Sequence, residues 1–98
     1  MGAYRIVLIR LKQGVTEEQK AEFIRESKKL LDNVPGLLAI EVGPPTDMER
    51  TKGFDMGVFL TLSAAEDLDG FAKHPEHLRM HEIRTALSED TLAFNLSF

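Results

Sequence analysis

All three histidines of the chain, His74, His77 and His81, fall in the segment His74-Pro75-Glu76-His77-Leu78-Arg79-Met80-His81. Imidazole is the side chain whose ordinary pKa lets it take up and release protons near neutral pH, so any such chemistry starts here. On a continuous helix these spacings would put the three rings on one side, which raises a metal site. Pro75 interrupts that geometry around His74, Glu82 lies off the face, and the chain has no cysteine. No metal and no other cofactor is therefore expected. His74, just before Pro75, suits a helix cap that accepts from free backbone amides. His77 has two readings. A neutral imidazole in an apolar pocket could accept a proton alpha to a carbonyl; alternatively the ring bonds to backbone and packs its helix on a sheet. With no hydroxyl or second histidine visibly placed to assist, the packing role is favoured.

Those residues need a frame. Tyr4 to Lys12 carries branched apolar residues in both alternating sets, Ile6 and Leu8 in one, Val7, Ile9 and Leu11 in the other, which predicts a strand covered on two faces. Thr16-Glu17-Glu18-Gln19 is a capping-box pattern, and Phe23, Ile24, Ser27, Leu30 and Leu31 recur at helical spacing until Asn33-Val34-Pro35-Gly36 ends the helix. Leu37 to Gly43 and Phe54 to Leu62 read as strands joined by a turn-rich loop, with Phe54, Met56, Val58, Leu60 and Leu62 on the core face of the second. Ser63-Ala64-Ala65-Glu66 predicts another capped helix reaching Lys73, and Pro75 opens the next. Thr91 to Phe98 alternates strictly and makes a final strand with Leu92, Phe94, Leu96 and Phe98 on one face.

The order β-α-β-β-α-β predicts an α+β, ferredoxin-like antiparallel sheet with helices on one face, a single domain over residues 1–98. The other face needs a cover. Apolar residues of the first strand, with Phe59, Gly57 and Ala93, predict a homodimer closed by sheet-to-sheet packing. Arg5 falls on the inner strand, where an unpaired charge is costly. It either pairs with an acid such as Asp55, the favoured reading, or faces an anionic ligand.

Composition excludes several classes. Sixteen acidic and twelve basic residues give a net charge of −4 with no basic run, so no nucleic-acid partner is expected. The apolar runs are far short of the ~20 residues that span a bilayer, and no leader pattern opens the chain, so no membrane association is expected. Absence of cysteine is compatible with a cytoplasmic location. Asn95-Leu96-Ser97 matches a glycosylation sequon but lies in a strand-like stretch and is read as chance.

Arg5 to Lys12, Thr16 to Gln19, Val34-Pro35-Gly36, Phe54-Asp55-Met56-Gly57, Ala65-Glu66-Asp67-Leu68 and above all His74-Pro75-Glu76-His77 make the chain resemble the stress-responsive dimeric α+β barrel, or Dabb, family. The resemblance implies a dimer with a pocket between sheet and helices. It also implies where a polyketide cyclase of that family keeps its catalytic set: a histidine on the first strand, a tyrosine before the His-Pro-x-His segment, and that segment's second histidine. The corresponding residues here are Arg5, Phe71 and His77. Polyketide cyclisation is therefore predicted to be absent, with Arg5→His and Phe71→Tyr the minimum change towards it.

The sequence thus points to a stress-responsive A/B barrel domain protein that binds or weakly transforms a small, partly apolar carbonyl or carboxylate compound. The pocket is expected to be bordered by Arg5, Phe71 and His77, with His77 as base or hydrogen-bond donor and Arg5 as anion partner. The competing reading is a stress-associated dimer that acts through interaction and not catalysis.

Overall fold

The computed structural model describes residues 1–98. The elements run β1 (Ala3–Leu11), α1 (Glu17–Lys28), α2 (Leu30–Asn33), β2 (Leu37–Gly43), β3 (Met56–Leu62), α3 (Asp67–Lys73), α4 (Pro75–Leu87) and β4 (Ser88–Ser97). The strands form one antiparallel sheet in the order β2-β3-β1-β4, the ferredoxin-like arrangement predicted from the element order. β1 and β3 are central, and their register sets Val7 opposite Val58 and Ile9 opposite Met56. Because side chains alternate across a strand, this register brings Ala3, Val7, Ile9 and Leu11 to one face with Met56, Val58, Leu60 and Leu62. None of these eight is more than 9% exposed. Burial of each larger one stabilises the fold by about 1.5–3 kcal/mol.

α1 begins as its capping box requires. Thr16 Oγ1 accepts from the Gln19 amide at 3.1 Å, and Gln19 Oε1 accepts from the Thr16 amide at 2.8 Å. The predicted helix to Asn33 is interrupted at Lys29, and the short α2 turns Leu30 into the core while Leu31 stays outside. The expected capping box at Ser63 does not form. The Ser63 amide bonds to the Gly36 carbonyl at 2.8 Å, and its hydroxyl donates to Asp67 Oδ2, also at 2.8 Å. Ser63 is thereby held at the end of β3, and α3 begins at Asp67 with no side-chain cap.

Gly36 links α2 to β2 with φ +84°, and a Cβ there would run into the Asp67 carboxylate. Both effects act against any side chain. Gly36→Ala is expected to destabilise the fold by about 1–3 kcal/mol, read as a lower denaturation midpoint. An unchanged midpoint would mean that Asp67 moves aside freely.

The face of the sheet away from the helices is apolar and open. Register places Tyr4 beside Leu96, Ile6 between Phe59 and Phe94, and Leu8 between Gly57 and Leu92. Tyr4, Phe59, Leu92, Phe94, Leu96 and Phe98 are between 43 and 57% exposed, and the Tyr4 and Phe98 rings lie 4.7 Å apart. Ala93 does not belong to this set. It pairs with Val7, so the period-two alternation turns it to the helix side.

Candidate functional site

α3 and α4 meet at a corner made by Pro75, and that corner positions the histidines. His74 caps α4, its Nδ1 accepting from the Glu76 amide at 3.1 Å, with Pro75 in the first turn. This is the structural role expected of it, and it removes His74 from a shared histidine face. His77, one turn into α4, is buried at 9% exposure. Its Nδ1 lies 3.0 Å from the Ala72 carbonyl near the end of α3. A carbonyl can only accept, so Nδ1 carries the hydrogen and Nε2 of the neutral ring keeps its lone pair. The ring packs on Phe71 with centroids 4.5 Å apart.

A cavity lies between the sheet and the helices. Arg5, Phe71 and His77, placed together by the sequence reading, all line it. Seven of its twelve lining residues are hydrophobic, including Leu60 and Phe23, and the others are Arg5, Ser27, His77, His81 and Arg84. It is half open to solvent, and its narrow interior of ≈ 30 Å³ has room for roughly two water molecules. A wider cleft on the outer sheet face, bounded by Gly43, Pro44, Pro45 and Phe54, contains no histidine.

The electrostatics of the cavity are one-sided. Arg5 occupies the inward row of β1, among Ala3, Val7 and Ile9. The expected pairing with Asp55 is not made: Asp55 Oδ1 accepts from the Leu11 amide at 2.9 Å. Arg5 Nη1 instead donates to the neutral Asn95 Oδ1 at 3.1 Å, because the register sets Asn95 directly opposite Arg5. His77, Met80, Arg84 and Leu87 succeed one another at intervals of three, four and three, which puts Arg84 on the buried stripe of α4. Its Nε is fully enclosed without a hydrogen-bond partner. Burial holds both guanidinium pKa values below the ordinary arginine range, and the Arg5 charge adds to the effect on Arg84. Burial also holds the His77 imidazole below its ordinary pKa. The positive charges of Arg5, Arg84 and His81 push the same way, against the Ala72 hydrogen bond.

Arg84, Ser27 and His81 escaped the sequence reading as members of the pocket. Each left a signal. Arg84 stands where the 77, 80, 84, 87 spacing calls for an apolar residue, and Ser27 interrupts the stripe of Phe23 and Leu30. Ser27 is 2% exposed and supplies to the cavity a hydroxyl that had seemed missing.

The sequence profile described as Stress responsive A/B Barrel Domain matches residues 3–98. The chain belongs to that family. Olivetolic acid cyclase of Cannabis sativa is 23% identical over 96 residues, covering 97% of this chain and 95% of the cyclase. Among solved structures, a hydroxynitrile lyase from Passiflora edulis superposes with a TM-score of 0.90 at 19% identity, covering 99% of this chain and 93% of its own. A dimeric ferredoxin-like protein of unknown function from a Jannaschia species gives 0.86 at 22% identity, with both chains fully covered. At such identities the structural likeness establishes the fold of this Dabb chain. No helix is long and apolar enough to cross a membrane.

Proposed function

We propose that this Dabb protein binds a small, partly apolar carbonyl or carboxylate compound in the cavity beside His77, and that His77 moves a proton on it. The observation that carries this reading is the setting of His77: buried, its Nδ1 committed to the Ala72 carbonyl, so that the neutral ring, which burial favours, keeps Nε2 as acceptor. A base that removes a proton alpha to a carbonyl needs that tautomer and that protonation state. The proton passes from carbon to Nε2, the electron pair moves onto the carbonyl oxygen, and the nearby guanidiniums stabilise the resulting enolate. Two relatives are named as enzymes, a cyclase and a lyase, which supports a reactive pocket. Phe71 and Arg5 stand where the resemblance calls for tyrosine and histidine, so the reaction is placed short of polyketide cyclisation.

The protein acts as a homodimer in this reading, its open apolar sheet face buried against a second copy. Relatives of the same fold described as dimeric support that assembly. The small volume of the cavity favours the other reading, a dimer whose purpose is interaction alone. Proton exchange separates the two. A panel of short ketones, aldehydes and 2-oxo acids incubated with the protein in D₂O should include compounds whose alpha protons exchange well above the buffer rate by NMR. No acceleration for any of them would leave the non-catalytic dimer as the function.

A further inference from the structure

We infer that the pocket selects a compact carboxylate anion, held jointly by Arg5 from β1 and Arg84 from α4; this rests on the reading of the cavity as a ligand pocket. The case begins with charge placement. In a chain with an excess of acids, carboxylates sit beside cations at the surface: Arg79 meets Glu26 and Glu76, Arg10 meets Asp90, and Lys20, Lys29 and Lys73 each have an acidic neighbour. Such exposed pairs contribute little to stability. The two arginines drawn into the cavity, where an uncompensated charge is costly, have no carboxylate of the protein within salt-bridge distance. Arg5 is satisfied only by the neutral Asn95, and Arg84 Nε by nothing.

The arrangement is locally self-repelling. Arg5 and Arg84 each disfavour charge on their neighbours, and His77 and His81 share the same cavity. No acidic residue lines this cavity, where α1 presents Phe23 and Ser27, α2 Leu30, β3 Val58 and Leu60, and α3 Phe71; on its outer side Arg84 borders a surface cleft with Glu89 and Asp90 of β4, and Asp90 is paired with Arg10. One anion between the two guanidinium groups would relieve both arginines with charge-assisted hydrogen bonds. Size and lining select its class. The lining is mostly apolar and the pocket is half open to solvent, so a carboxylate can enter while a short hydrocarbon body projects from the narrow interior, which suits it better than the more strongly hydrated phosphate. Arg84 thereby joins Arg5 as a binding residue, beside His77, whose base form is favoured first by burial.

The test is a titration of ¹⁵N-labelled protein with isobutyrate and with its neutral isostere isobutyramide, following the Arg84 Nε–H and His77 ring resonances. Isobutyrate should shift the Arg84 signal and bind at least about tenfold more tightly, the difference expected from one charged hydrogen-bonding group. Arg84→Met should weaken isobutyrate far more than isobutyramide and so bring the two affinities together. Equal binding of acid and amide would overturn the anion assignment and leave the pocket reading standing. Failure of both to perturb either residue would remove both readings. Inorganic phosphate competing better than isobutyrate would overturn the carboxylate class. Should Arg84→Met fail to fold, the acid-to-amide ratio in the unmodified protein and in Arg84→Lys decides the matter.

Discussion

In His77→Ala, exchange of alpha protons on a responsive carbonyl compound is expected to fall by about 10²–10⁴-fold, the usual contribution of a positioned general base. The fold should survive, because His77 is one residue beside a core of 16 apolar side chains, half of them from β1 and β3. Amide spectra of the variant check this. The pH dependence carries a sign that a packing residue would not produce. Burial, helped by Arg5, Arg84 and His81, holds the His77 pKa below the ordinary value of ~6.5. The base form is therefore populated at pH 7, and the rate should decline only as pH falls through that depressed pKa. Arg5→Gln removes one of the charges responsible and should move the acid limb upward, towards ~6.5. A limb that stays in place would mean that the titrating base lies elsewhere, and full activity in His77→Ala would remove His77 from the chemistry.

Gly57→Arg is expected to turn a dimer into a monomer, halving the mass by light scattering at micromolar concentration to the 11.0 kDa of one chain. Gly57 lies on the outer face of β3, where an added Cβ would sit 3.1 Å from the Phe59 ring and 3.7 Å from Leu8. A long charged side chain there would hold a facing sheet away or be buried without a partner, at several kcal/mol. That exceeds what most interfaces can lose and stay assembled at micromolar concentration. A mass of 11.0 kDa for the unmodified protein would sink the dimer altogether, and a Gly57→Arg dimer would place the interface on another surface. The two predictions meet only if the pocket needs assembly, so exchange activity in the Gly57→Arg monomer shows whether one chain suffices.

The period-two pattern of β3, the Thr16 capping box and the Pro75 helix start were each legible in the sequence, because each is a contest settled within a few residues. Hydrophobic alternation and local backbone amides carry that information without help from distant parts of the chain. The same locality put His74 on a helix cap and His77 one turn inside, and the ferredoxin-like arrangement followed from the β-α-β-β-α-β order of the elements. Register is different in kind. Whether Arg5 meets Asp55 or Asn95 depends on how β1 lies against β4, strands separated by most of the chain, and a one-residue slip would reverse every face. That pairing turned Ala93 to the helix side and left Arg5 without an acid, and the packing of α1 and α4 on the sheet brought Ser27, His81 and Arg84 to the same cavity. Sequence by itself determined which elements form and where the imidazoles sit along them. Tertiary structure decided which charges share a low-dielectric space, because only packing across the sheet determines which side chains leave water together.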